Sequence, residues 1–157
     1  MLKDKGKLII ISGPSGVGKS TVIEKVLENE PNICFSVSAT TRNPRPGEKD
    51  GVNYFFVDRE EFERMIADQE LLEFAEYVNH YYGTSLKAIQ EELDSGCDVL
   101  LDIEVQGALQ VMEKRPDALT IFIAPPSVET LVERLNGRGT NDEETIKKRV
   151  ERALEEL

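Results

Sequence analysis

Eight residues, Gly13-Pro14-Ser15-Gly16-Val17-Gly18-Lys19-Ser20, carry the strongest chemical signal in the chain. They match G-x-x-x-x-G-K-[ST] at every fixed position and lie between a β-branched run and a helical pattern, the context that this motif requires. Three glycines let the backbone wrap until successive N–H groups converge on an anion, and the helix that follows offers its positive N-terminus to the same anion. Lys19 is then placed to reach β- and γ-phosphates, and Ser20 to put its hydroxyl on the Mg²⁺ that bridges them. The implied ligand is a nucleoside triphosphate, cradled by residues 13–20 and by Thr21 in the first helical turn. A Gly-rich turn that binds nothing would need fewer glycines and would have no use for Lys-Ser at this offset.

A second group of residues needs another explanation. Arg42, Arg45 and Lys49 share one Pro/Gly-rich loop in an acidic chain, with Tyr54 just beyond it and Tyr81-Tyr82 further on. Guanidinium forks and phenol hydroxyls suit a terminal phosphate on a second substrate. A solvated basic loop is the simpler alternative, and it loses ground once a triphosphate is bound nearby. Asp102 ends an apolar run with a carboxylate, as does the acidic residue that holds Mg²⁺ or its water in P-loop proteins; an Asp capping the next turn is the other reading. His80 is the sole histidine and reads as a surface or packing residue.

The elements that must position these groups follow from periodicity. Residues 7–12, Lys-Leu-Ile-Ile-Ile-Ser, form a continuous apolar run of the kind buried in a parallel sheet, and it feeds the Gly-rich loop. Val22, Ile23, Val26 and Leu27 make one face of a helix over 19–29. Residues 52–57 read as an aromatic-rich strand, Asp58 opens a capping box for a helix holding Phe62, Met65 and Ile66, and a further helix ends at Gly96. Residues 98–103 and 119–124 are apolar strands separated by a helix over 105–114. Ser127 caps a helix to about 136, and a last helix, opened by a capping box at 140–143, places Ile146, Val150, Ala153, Leu154 and Leu157 on one face. Strand alternating with helix predicts an α/β fold, a parallel sheet flanked by helices, interrupted by a small insertion over 37–87.

Composition narrows the partners. With 157 residues and 39% hydrophobic content the chain supports one domain, and a net charge of −11 disfavours nucleic acid and anionic membrane surfaces. Cys34 and Cys97 stand far apart in sequence beside apolar runs and read as buried, reduced thiols. No run has transmembrane length and the N-terminus lacks a signal-peptide core, so a cytoplasmic location is expected.

Taken together, residues 13–20, Ser36-Val37-Ser38-Ala39-Thr40-Thr41-Arg42 with Pro44-Arg45, Asp50-Gly51-Val52-Asn53-Tyr54, Tyr81-Tyr82-Gly83-Thr84, residues 101–107 and Gly137-Arg138-Gly139-Thr140 resemble guanylate kinase over nearly the whole chain. The resemblance implies a P-loop NTPase-type sheet with a small α+β GMP-binding insertion and a helical lid: core 1–36 and 88–126, insertion 37–87, lid 127–157. It implies Mg²⁺-dependent transfer of the γ-phosphoryl group of ATP to GMP or dGMP. Acceptor-phosphate ligands fall on Arg42, Arg45, Tyr54 and Tyr82; guanine contacts fall on Ser38, Glu73 and Thr84, the two hydroxyls donating to O6. An acidic pair near nucleotide and metal falls on Asp102 and Glu104, where the family usually has Asp at the second position. Catalysis would rest on Lys19, Arg42 and the lid arginines Arg134, Arg138 and Arg149, with Mg²⁺ held by Ser20 and Asp102. Family members continue into a further core strand, an adenine-contacting segment and a last helix, so those C-terminal core elements are expected to be missing. Guanylate kinase-like modules that bind phosphopeptides without turnover are the alternative; they typically have eroded P-loops, which this chain does not.

Overall fold

The computed structural model describes residues 4–14, 16–137 and 143–156, apart from the side chains of Glu143, Thr145, Ile146 and Arg149. Four parallel strands form the core sheet in the order β2-β7-β1-β8: β1 Leu8–Ser12, β2 Ile33–Phe35, β7 Asp98–Asp102 and β8 Leu119–Phe122. Ile10 stands opposite Leu101 on one side and Thr120 on the other, and Cys34 opposite Val99. The apolar run of β1 exists because both its faces are covered. Leu8 and Ile10, with Val99 and Leu101, pack against Ile89 and Leu93 of α3 (Leu86–Asp94) and Ala108 and Val111 of α4 (Val105–Lys114). Ile11 and Leu100 turn the other way, onto Ile23, Val26 and Leu27 of α1 (Lys19–Asn29). Layers of helix, sheet and helix result, as predicted for an α/β chain.

A second sheet, ordered β4-β3-β6-β5, comprises β3 Ala39–Thr40, β4 Phe55–Phe56, β5 Leu71–Tyr77 and β6 His80–Ser85. Its core is Phe62 of α2 (Arg59–Ala67), fully buried and stacked on the Tyr81 ring at 5.0 Å. Asp58 caps α2 as expected, accepting from the Glu61 N–H at 2.7 Å. The strand predicted over 52–57 is shorter than its aromatic content suggests. Gly51 takes φ 79°, the Val52 and Asn53 N–H groups both donate to the Lys49 carbonyl, and the chain turns until Phe55.

Polar bonds help to fix the second sheet against the first. Gln110 of α4 donates to the Phe74 carbonyl at 2.7 Å and accepts from the Phe74 N–H at 3.2 Å, so its side-chain amide does for β5 what a neighbouring strand would do. Lys114 adds a bond to the Leu72 carbonyl at 2.8 Å, and Leu72 itself lies in the core cluster.

Two helices complete the described chain, α5 Val128–Gly137 and α6 Glu143–Glu156. Ser127 caps α5, its hydroxyl accepting from the Thr130 N–H, and Leu131 and Leu135 pack on Val150 and Ala153. Leu154, expected on that buried face, is 45% exposed, because the contact with α5 is narrow. Ile146, Leu157 and the capping box at 140–143 lie outside the description. β8 is an edge strand among the described residues, and Leu119, Ile121 and Phe122 are exposed on it.

Candidate active site

The Gly-rich loop leaves the C-terminal end of β1 and becomes α1 through Gly16 (φ 83°) and Gly18 (φ 93°), left-handed conformations that a side chain would strain. Gly18 is also the N-cap of α1 and supplies no side-chain cap, so the first N–H groups of the helix stay available to an anion. Around this turn lies a cavity of about 250 Å³. Its walls include Gly13, Pro14, Gly16, Val17, Gly18, Lys19, Ser20 and Thr21, all expected from the sequence; Ser15 lies outside the description. Arg134 of α5 reaches this loop and donates to the Val17 carbonyl at 2.9 Å. Arg138 and the side chain of Arg149 are again outside the description.

Lys19 crosses from this cavity to the end of β7. Its ammonium lies 2.8 Å from the Asp102 carboxylate and 3.4 Å from the Ile103 carbonyl. On that side opens a second cavity, of about 240 Å³. Ser38, Arg42, Arg45, Tyr54, Glu73, Tyr82, Asp102 and Glu104 all line it, so the topology gathers residues that the sequence spreads over 67 positions from Ser38 to Glu104. Lys19, Tyr77 and Glu104 line both cavities, which makes them the junction. Ser20 faces the first cavity and Asp102 the second.

One end of the second cavity is cationic and aromatic. The Arg42 guanidinium lies 5.2 Å from the Tyr54 ring centre, and the Tyr54 and Tyr82 rings meet edge to face at 6.0 Å. Glu48 holds Arg42 in a two-pronged pair at 2.8 and 3.1 Å and accepts from the Arg45 N–H at 2.7 Å. Those partners, Arg42 first, pull the Glu48 carboxyl down to about 2, and the bond to Glu48 in turn raises Arg42 further above its usual value. Arg42 is therefore held in one orientation on the cavity wall.

The other end is a buried carboxylate. Glu73 is only 4% exposed, and burial pushes its carboxyl up to about 7 against the hydrogen bond from Thr84. That bond runs from Thr84 Oγ1 to Glu73 Oε1 at 2.6 Å. Thr84 is fully buried behind the cavity wall, and its hydroxyl donates to Glu73. The second Glu73 oxygen abuts Gly107, where a methyl group would collide with it.

A profile of the family described as guanylate kinase matches residues 5–157. The chain belongs to the guanylate kinase family. It is 56% identical over 157 residues to a guanylate kinase of Halalkalibacterium halodurans, an alignment covering 100% of this chain and 77% of that protein. Identity to a guanylate kinase of Latilactobacillus sakei is 54%, covering 99% of this chain and 77% of the relative. The crystal structure of guanylate kinase from Anaplasma phagocytophilum superposes with a TM-score of 0.76 at 39% identity, covering 99% of this chain and 72% of that one.

Within this guanylate kinase fold, several functional neighbours escaped the sequence reading. Arg152 of α6 donates to Glu104 at 3.0 Å and to Glu156 at 3.3 Å, and sits 4.4 Å over the Tyr77 ring. It lies three residues after Arg149, on the same helical face, which is the signal that could have found it. Glu48 read only as part of a loop, and Gly107 stood only as the last residue of the 101–107 motif, with no role of its own. Among the described residues no helix is long and apolar enough to cross a membrane.

Proposed function

We propose that the protein transfers the γ-phosphoryl group of ATP to GMP or dGMP, giving ADP and GDP. The observation that carries this reading is the junction. A triphosphate cradle and a cavity with arginines at one end and a buried acid at the other share Lys19 and Glu104 as a common wall. A γ-phosphate in the first cavity and an acceptor phosphate in the second would meet there.

Each end has a chemical reason for its substrate. Arg42 and Arg45, with the Tyr54 and Tyr82 hydroxyls, take the GMP phosphate. The Glu73 carboxylate accepts from guanine N1–H and the 2-amino group, and Ser38 lies on the same cavity wall. Adenine has no 2-amino donor and presents a lone pair at N1, and discrimination through such unpaired buried groups reaches on the order of 10⁴-fold. Thr84 belongs to this recognition unit through Glu73.

The acceptor needs no general base, since a phosphate monoester with a second pKa of about 6 is already ionised near neutral pH. Lys19 exchanges Asp102 for β- and γ-phosphate oxygens, and Arg134, with Arg138 and Arg149, neutralises charge on the transferring group. Loss of one such arginine costs on the order of 10³-fold in rate. Ser20 and Asp102 supply a hydroxyl and a carboxylate oxygen, the hard donors that suit Mg²⁺. Held there, Mg²⁺ would supply positive charge against the phosphate oxygens. Core 1–36 and 88–126, a GMP-binding insertion 37–87 and a lid 127–157, acting in the cytoplasm, complete the proposal.

The test is a coupled ADP-release assay with Mg-ATP and GMP, with AMP as control, on this chain and on Lys19→Ala. GMP-dependent turnover that the variant abolishes supports the reading. Folded protein that binds GMP and a phosphopeptide alike, without turnover, would point to an interaction module.

A further inference from the structure

Cys34 and Cys97, the only cysteines in the chain, are 63 residues apart in sequence, yet their sulfurs lie 2.6 Å apart. Cys34 occupies the middle of edge strand β2, and Cys97 directly precedes β7, to which β2 is hydrogen-bonded in register. Both thiols are free and both are half-buried rather than sealed in the core, which corrects the expectation of buried cysteines. The exposed Glu92 carboxylate completes a three-residue cluster within 4.8 Å. We propose that Cys34 and Cys97 form a reversible dithiol–disulfide pair that, when oxidised by a small-molecule disulfide, staples β2 to β7.

Geometry favours this over a metal site. Two thiolates on one tetrahedral zinc, each bonded at about 2.3 Å, stand roughly 3.8 Å apart. A disulfide requires about 2.05 Å, a smaller displacement from the observed contact and in the direction of closing.

The hydrogen bond Cys34 gives to Cys97, partial burial and Glu92 push the Cys34 thiol up to about 12. The thiolate of one cysteine attacks the small disulfide RSSR, forming a mixed disulfide and releasing RS⁻. The other cysteine, its sulfur 2.6 Å away, loses its proton and displaces the second RS⁻, leaving the Cys34–Cys97 bond. Two thiols are oxidised, one small disulfide is reduced to two thiols, and the two protons go to the released thiolates.

The staple would lie away from the chemistry. Cys97 precedes the first residue of β7, whereas Asp102, which meets Lys19, is its last. It would fix the strand from which the segment carrying Ser38 and Arg42 departs.

Native protein is equilibrated across ratios of reduced to oxidised glutathione, quenched by alkylation and read by intact mass and peptide mapping. The expected product loses about 2 Da and carries the Cys34–Cys97 cross-link, at a midpoint at least about tenfold more reducing than for the chain in denaturant. Native protein that takes up glutathione without the internal bond, keeps both thiols, or matches the denatured chain would overturn the proposal.

Discussion

Protonating Glu73 should weaken GMP binding in a pH range where few proteins lose a carboxylate. Burial holds its carboxyl at about 7, whereas an unfolded chain would hold it near 4.5. Guanine offers two donors, so the ligand needs the ionised, acceptor-only form, and binding must expel a proton whenever that form is scarce. At pH 8 Glu73 is mostly ionised; at pH 6 only about one molecule in ten is, so the apparent Kd for GMP should rise about tenfold over that interval. The GMP phosphate also titrates near 6 and contributes about twofold. Glu73→Gln removes the side-chain titration and keeps the phosphate term, so titration calorimetry on both proteins isolates the carboxylate. Measurements at pH 6 in two buffers of different ionisation heat should show close to one additional proton released by the wild type. The same shift has a stability consequence of opposite sense. A folded-state value above the unfolded one means that the folded protein binds the extra proton, so this contribution is complete below about 4.5 and is lost as pH rises through about 7. The span of roughly 2.5 pH units corresponds to on the order of 3 kcal/mol. Denaturant unfolding of wild type minus Glu73→Gln should therefore fall with rising pH across that window. Parallel pH profiles of the two proteins in binding, agreeing within about twofold from pH 6 to 8, would refute the reasoning.

Two further perturbations test the walls of the site. Gly107→Ala puts a methyl group where the Glu73 carboxylate now lies, so the carboxylate must move; the KM for GMP should rise about tenfold or more while the KM for ATP changes less than about twofold, and equal effects on both substrates would show that α4 had shifted instead. Arg152→Gln removes the cation that ties α6 to Glu104, Glu156 and the Tyr77 ring. This pair is about one-third exposed, so the stability loss should stay below about 1 kcal/mol by denaturant unfolding. A fall of about three- to tenfold in kcat/KM for ATP should accompany it, because Glu104 and Glu156 both line the cavity around the Gly-rich loop; unchanged kinetics would make the contact merely structural.

What was legible in the sequence was what is written locally. Residues 13–20 announce a phosphate cradle because glycine conformations, a lysine and a hydroxyl must all fall within one turn, and no distant residue can substitute for them. The apolar runs of β1 and β7 are equally local: a strand covered on both faces has no polar side to show. The helical stripe of α1 gave the helix its boundaries, Lys19–Asn29, to the residue. Where the reading went astray, a turn or an edge intervened. Aromatic residues at 54–56 suggested a longer strand than Gly51 and Asn53 allow, and Leu154 followed the helical stripe beyond the width of the contact with α5.

The misses share a cause. Arg42, Glu73 and Lys19 face a cavity, so their chemistry can be argued one residue at a time. Glu48, Gln110, Gly107 and Arg152 face other parts of the protein, and each matters only through its partner. Gln110 becomes a surrogate strand only because β5 lacks a neighbour on that side and Phe74 offers both backbone groups to it. Thr84 depends on a partner as well: at full burial its hydroxyl donates to the Glu73 carboxylate. The buried acid thus enters the cavity with one oxygen already held by Thr84 and the other lying against Gly107, which confines a flexible side chain to one orientation.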